Sequence, residues 1–260
     1  MAIPSVSVIC SVFNGERFLR ESIESVLNQS FGDFELLITN DGSSDGSADL
    51  IEQLATEDSR ILVHHQPNQG LTKTLNDSLR RARGRYFARQ DCDDVSLPGR
   101  FAAQVAWLDA HPGCAAVGTR YRRIDAEGAD IGFSRVPLSD LAIRFALLTH
   151  NVIAHSSVMA RCDAVRSVGG YDERLRTAQD YDLWCRLALG WKLANLREPG
   201  LSRRVHGDSI GASMTQAQIA NRNLIRACYH ERLLALPARD LTGMALRLAA
   251  RALKISRFNQ

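Results

Sequence analysis

The apolar positions of the first 110 residues switch regularly between two periods. "SVSVICSV" (5–12) is β-branched and reads as a buried strand. "ERFLRESIESVLNQ" (16–29) then spaces Leu19, Ile23 and Val26 along one face of a helix. The alternation repeats as strand 34–40, helix 43–55, strand 60–65, helix 70–83, strand 85–90, and a helix from about Pro98 to Ala110. Strands alternating with helices of this length predict βαβ units, hence a parallel sheet covered on both faces. Beyond residue 110 the rhythm changes. Strands are expected at 114–125 and 154–161, and helices at 140–148, 162–168 and 180–189. Two basic helices are expected across 214–257, broken near Pro237. The expected organisation is one α/β unit over 1–210, in halves of 1–110 and 111–210, followed by a helical extension over 211–260.

Composition narrows the class. The chain has 260 residues, 45% hydrophobic and 23% charged, which is ordinary for a globular protein. The net charge of +3 hides an asymmetry, with −4 over residues 1–200 and +7 over the last 60. Arg222, Arg226, Arg232, Arg247, Arg251, Lys254 and Arg257 lie among Leu and Ala there. Such helices suit peripheral contact with an anionic membrane through 214–257, or equally a helical cap or a dimer contact. Six scattered cysteines form no C-x-x-C pair and no zinc spacing, which suits a reducing cytoplasm. The start has no basic region ahead of its apolar run, and no stretch approaches a membrane span. A cytoplasmic location is therefore expected, peripheral to the membrane's inner face if the tail binds it. No nucleic-acid partner is expected.

The chemistry gathers at "RQDCDDVSLP" (89–98), where Asp91, Asp93 and Asp94 crowd together. Carboxylates ahead of a proline suit a capped helix start, since they favour the positive end of the helix dipole. Capping needs only one of them, however, and ligands of open parallel sheets bind beyond the strands' carboxyl ends. On the expected strands that rim holds Ser11–Asn14, Asp41, the segment 66–68, and Asp91 with Asp93. Hard divalent cations take oxygen ligands and bind through one or two carboxylates plus substrate phosphates. Asp91-x-Asp93 suits Mn²⁺ or Mg²⁺ in that way. The Gly-rich phosphate loops G-x-x-x-x-G-K-[ST] and G-x-G-x-x-G after a strand are both missing.

Four segments in order, "VSVICSVFNGERFLRESIESVLNQSFGDFELLITNDGSSDGS", "NQGLTKTLN", "RQDCDDVSLP" and "GGYDERLRTAQDYDLWCRL", resemble family-2 glycosyltransferases over about residues 4–210. The resemblance implies a GT-A fold: a Rossmann-like, mostly parallel sheet flanked by helices. It implies an inverting transfer of a sugar from a nucleotide donor, UDP first, to a saccharide or lipid-linked saccharide hydroxyl in bacterial surface polysaccharide or glycolipid assembly. Carried over residue by residue, Ser11, Phe13 and Glu16 match the first nucleotide-contacting turn, and Asp41 the residue that meets uracil. Asp91 and Asp93 match the D-x-D, with Asp93 the more direct metal ligand. Asp180 matches the catalytic base, and His206 a late histidine that closes the metal or diphosphate site. Lys73 and Asn76 are expected near the diphosphate. Asn40 and Gln179 stand where the family usually has Asp and Glu, and a neutral Gln179 is expected to make Asp180 less basic. The other readings are a nucleotide-sugar binding scaffold without turnover and a nucleotidyltransferase acting on a sugar phosphate. The latter usually shows a Gly-rich basic turn after its first strand, where this chain has "CSVFNGER".

Overall fold

The computed structural model of the chain describes residues 3–207, 216–235, 243 and 245–251. Its first half follows the alternation of apolar periods. Strands β1 (Val6–Val12), β2 (Phe34–Asp41), β3 (Ile61–Gln66) and β4 (Tyr86–Asp91) are linked by helices α1 (Glu16–Leu27), α2 (Ser47–Glu57) and α3 (Leu71–Arg81). The four strands pair in parallel in the order β3-β2-β1-β4. All eight residues of β2 are buried, as a strand covered on both faces requires.

Successive side chains of these strands face opposite ways, and two cores result. Val6, Val8, Cys10 and Val12 of β1 meet Leu19, Ile23 and Val26 of α1 in one cluster. Ile9 and Phe87 point the other way, into a cluster with Leu75 and Leu79 of α3. The register sets Ser11 opposite Asp91 and Val12 opposite Asn40, so the carboxyl ends of β1, β2 and β4 finish level.

After β4 come a two-residue strand β5 (Val95–Ser96), helix α4 (Arg100–Ala110), β6 (Cys114–Ile124), β7 (Asp130–Phe133) and α5 (Asp140–Leu147). A 3-10 turn (His155–Ser157), β8 (Met159–Arg161), α6 (Cys162–Ser167), α7 (Gln179–Leu187), β9 (Lys192–Arg204) and α8 (Gln216–Ala235) complete the order. The sheet continues past β4 as β8-β6-β9-β5, with β7 on β6. β8 runs antiparallel to both its neighbours, and β5 runs antiparallel to β9.

Several expectations are corrected here. The strand expected over 154–161 is mostly a 3-10 turn, and only its last three residues pair. β9 was not expected: in "REPG" two successive residues, Arg197 and Glu198, are exposed, which breaks the alternation, and the register slips where Arg120 meets Pro199. α4 begins at Arg100, with Pro98 ahead of it and Gly99 taking the left-handed conformation at its cap. β5 therefore separates the three aspartates from the helix, which removes the capped-helix reading of the acidic turn.

Of the two basic helices expected in the tail, α8 and the helical residues 243 and 245–251 are described; Pro237, Lys254 and Arg257 lie outside the described residues. Ile225, Tyr229 and Leu233 of α8 join the core that holds Tyr181 and Trp184 of α7, together with Leu246 and Ala250. No described helix is long and apolar enough to cross a membrane. Since Leu233 is only 5% exposed, Leu233→Ala is expected to lower unfolding free energy in urea by about 2–4 kcal/mol. A loss below about 0.5 kcal/mol, the range of surface substitutions, would show that α8 does not share this core.

Candidate active site

A cavity of about 1170 Å³ opens over the carboxyl ends of β1, β2 and β4. Its walls include Ser11, Phe13, Asp41, Asp91, Asp93, Asp94, Asp180 and His206. Two elements far apart in sequence, the acidic turn after β4 and the start of α7, thus share one cleft with the turn after β1.

The acidic turn has a division of labour. Asp94 is 2% exposed, and both its oxygens are engaged, one by the Ser156 hydroxyl and the other by the backbone N–H of Arg204 at 2.8 Å. Arg204, itself buried, donates to the Asp93 carbonyl at 3.0 Å and reaches Glu21 at 2.5 Å. These bonds tie the turn to β9 and to the 3-10 turn. Asp91 and Asp93 remain for the cleft. The Arg89 guanidinium, 1% exposed, meets Asp91 at 2.5 Å, and His206 Nε2 lies 3.0 Å from Asp93 Oδ2. One oxygen from each of the three aspartates falls within 4.8 Å of the others.

The charges respond to this crowding. Burial works against the Asp91 carboxylate, but Arg89 above all, with Arg203, holds it below its ordinary value. Burial first, and then the charge of Asp91, push Asp93 up, with His206 opposing. Asp94 is pushed up to about 8, again by burial and then by its two neighbours. The donor set fits a hard divalent cation: two carboxylates facing the cleft and an imidazole beside one of them, with the remaining positions open to substrate oxygens and water.

Asp41 is 3% exposed on the end of β2. It accepts from Gln66 Nε2 at 2.8 Å and from the N–H groups of Gln69 and Gly70, each at 3.0 Å. Gly70 holds a φ of 89°, a conformation that favours glycine, which explains the glycine of "NQG". A carboxylate has about four acceptor sites, so Asp41 keeps one for a ligand N–H. Phe13 is 53% exposed on the cleft wall, where a stacking ring would serve. The Ser11 hydroxyl is buried there with no hydrogen-bond partner.

Asp180 is the second residue of α7, whose cap Ala178 has a φ of 60°, rare for a residue with a Cβ. Such outliers collect at functional sites, where surrounding bonds hold them in place. Asn151 donates to Asp180 Oδ2 at 2.7 Å, while Oδ1 accepts from the Tyr181 N–H at 2.8 Å. Burial raises its proton affinity, and those two bonds only partly offset the rise. Asp180 is thus more basic than an ordinary aspartate, so its burial outweighs the loss of a charged neighbour at Gln179. His155, bonded to the Tyr171 hydroxyl at 2.8 Å, is depressed to about 3 by burial and Arg89 and stays neutral.

Three expected contacts lie elsewhere. Glu16 accepts from the Gly46 N–H at 2.9 Å, and its own N–H donates to Asp45 at 3.1 Å. With Asn14 bonded to Ser44 and Gly15 to Ser47, this knits the turn after β1 to the start of α2. Lys73 is exposed and does not line the cleft. Asn76 is buried away from it, bonded through its amide to both N–H and C=O of Tyr171 at 2.9 Å and to Glu173 at 3.0 Å. It clamps α3 to the loop before α7; a buried amide and a ligand contact look alike in sequence. The cleft also holds residues not expected in it: Asn151, which orients Asp180, Arg176 and Gln218, and Arg222, expected only as part of a basic tail.

Comparison with known proteins bears on this geometry. A sequence profile described as "Glycosyl transferase family 2" matches residues 7–169. A putative glycosyltransferase EpsE of Bacillus subtilis is 36% identical over 248 residues, covering 93% of this chain and 87% of that protein. The amylovoran biosynthesis glycosyltransferase AmsE of Erwinia amylovora is 32% identical over 211 residues, covering 78% of this chain and 77% of that one. Among solved structures, S. aureus TarS residues 1–349 with UDP-GlcNAc superimposes with a TM-score of 0.76 at 17% identity, covering 93% of this chain and 70% of that one. The mannosyltransferase PcManGT of Pyrobaculum calidifontis, with GDP-Man and Mn²⁺, gives 0.61 at 16% identity, covering 100% and 81%. The fold is of the GT-A type.

The clamp reading of Asn76 separates cleanly from a diphosphate role. Asn76→Ala leaves both backbone groups of Tyr171 unpaired, so stability is expected to fall by about 2–3 kcal/mol, with UDP affinity in calorimetry unchanged within about twofold (about 0.4 kcal/mol). A tenfold loss of UDP affinity without destabilisation would return Asn76 to the ligand.

Proposed function

Because the chain belongs to glycosyl transferase family 2, we propose that it moves a sugar from a nucleotide donor, UDP-linked first, to an acceptor hydroxyl with inversion. The observation that carries this is the shared cleft. Asp91 and Asp93 stand at one set of strand ends beside Asp41, with Asp180 across the same space. Residues 1–210 form the catalytic domain in this reading, with 211–260 an extension of it. The named role of the relative AmsE in amylovoran biosynthesis supports surface polysaccharide as the setting. The donors of the two structural neighbours differ, so UDP rests on Asp41 and the resemblance of its segment.

Asp91, Asp93 and His206 would hold Mn²⁺ or Mg²⁺, which when bound supplies Lewis-acid stabilisation of a departing diphosphate. Phe13 offers a face to the base, and Asp41 its remaining lone pair to a base N–H. Asp180, held by Asn151, accepts the proton of the attacking hydroxyl as general base. Carboxylate accounting supports a single displacement. Of the five aspartates lining the cleft, Asp94 has both oxygens engaged, Asp41 is three-quarters filled, and Asp91 and Asp93 form the cation site. Asp180 alone is left, and double displacement needs a second carboxylate as nucleophile.

The test is release of UDP from a panel of UDP-sugars with added Mn²⁺. Turnover should vanish in EDTA and return with Mn²⁺. Asp180→Asn should cut kcat by about 10²–10⁴-fold while UDP affinity persists; unchanged turnover would remove Asp180 as base. Asp180 works deprotonated, and burial raises its pKa. The acid limb of the rate should therefore lie above the ordinary aspartate value of about 3.9, with activity lost as pH falls through it. A limb at or below that value would contradict the assignment.

A further inference from the structure

The transferase reading leaves open what receives the sugar, and the wall around Asp180 carries information on that. Arg176 lies four residues ahead of Asp180, exposed and lining the cleft. The arginines before and after it are paired: Arg174 with Asp172 at 2.7 Å, and Arg186 in α7 with Asp182 at 2.6 Å. Among the described residues Arg176 has no carboxylate within ion-pair distance, although acidic groups of the same stretch pair with arginines on either side of it.

The second arginine comes from α8, beyond the stretch matched by the family profile. Gln218 and Arg222 both line the cleft, and their spacing of four puts them on one face of the helix. α8 is fixed to the base-bearing loop, because the Asn221 amide donates to the Thr177 hydroxyl at 3.0 Å and to its carbonyl at 3.3 Å. Thr177 follows Arg176 directly. The helix, its cleft-facing Arg222, Arg176 and Asp180 thus form one tethered assembly. Asp41, Asp91, Asp93 and Asp94 line the same cleft.

We propose, resting on the transferase reading, that α8 completes the acceptor subsite and that the acceptor is anionic there. It carries a phosphate or carboxylate near the attacked hydroxyl, held by Arg176 and Arg222. Guanidinium groups present paired N–H donors that match both anions bidentately, which an ammonium does not. A sugar phosphate, the phosphate end of a lipid-linked sugar and a uronic acid share this chemistry. Neutral glycosides lack it and would leave Arg176, exposed in the cleft, without a counter-charge from substrate. Binding of the right acceptor would also help fix the loop that carries the base.

The test uses the full chain saturated with UDP and Mn²⁺, and calorimetric binding of three probes on one hexose scaffold: a methyl glycoside, its uronate, and its phosphate ester. At least one charged probe is expected to bind about tenfold or more tighter than the neutral one (about 1.4 kcal/mol), with the preference shrinking as salt rises. Which charged probe wins separates phosphate from carboxylate, and a short prenyl diphosphate sugar as a fourth probe identifies a lipid-linked source. Arg176→Gln and Arg222→Gln should each remove most of the preference with UDP affinity intact, and Arg222→Lys should retain part of it. Equal affinity for all probes, no detectable binding of any charged probe, or a preference untouched by both Gln variants would overturn the proposal. So would loss of UDP affinity in those variants, which would assign the arginines to the donor. Turnover of UDP-sugar with no anion preference sinks the acceptor class alone; failure to bind UDP at all sinks the transferase reading beneath it.

Discussion

A buried carboxyl group fixes this cleft. Asp94 turns inward from the end of β4 and is held by the Ser156 hydroxyl and by the backbone of β9 at Arg204. Three carboxylates in four positions would otherwise spread apart. With the third one anchored, the turn cannot relax, and Asp91 and Asp93 stay at the cleft wall despite their mutual repulsion. Arg89 on one side and His206 on the other partly offset that repulsion. The arrangement is one in which a doubly positive ion would relieve what the protein groups leave uncompensated.

The two halves of the fold meet at that anchor. The parallel half supplies level strand ends, so Ser11, Asp41 and Asp91 share a rim without any special loop. The mixed half brings back Asp180, His206 and the 3-10 turn against it, through β8 and β9. Buried arginines act as fasteners between them: Arg100 donates to the carbonyls of Arg89 and Val158, and Arg204 spans from Glu21 to the 125–126 turn. Removing solvent from such groups is costly unless their donors are filled. Most donors of Arg100 and Arg204 are, whereas Arg89 Nε, beside the cleft, is buried without a partner.

The parallel half was legible in the sequence because each strand and helix there obeys one apolar period over its whole length. That also fixed the rim, and with it Asp41, Asp91 and Asp93. The mixed half was less legible. β8 pairs through three residues, and β9 alternates poorly because Arg197 and Glu198 in its middle are both exposed, with Pro199 at a register slip. Side-chain direction was the other limit. Sequence does not say that Asp94 points inward while Asp93 faces the cleft. Nor does it say that Asn76 and Glu16 spend their polar atoms on the protein's own backbone. Asn151 gave no signal of its role, since its bond to Asp180 spans 29 positions.

The central claim is that a cation sits between the acidic turn and a nucleotide's phosphates. Anomalous diffraction from a crystal soaked with Mn²⁺ and UDP tests it most directly. The account predicts one strong manganese peak bonded to Asp93 and to diphosphate oxygens, with uracil beside Asp41. Diphosphate bound in the cleft without a metal peak, or manganese bound away from Asp91 and Asp93, would contradict it.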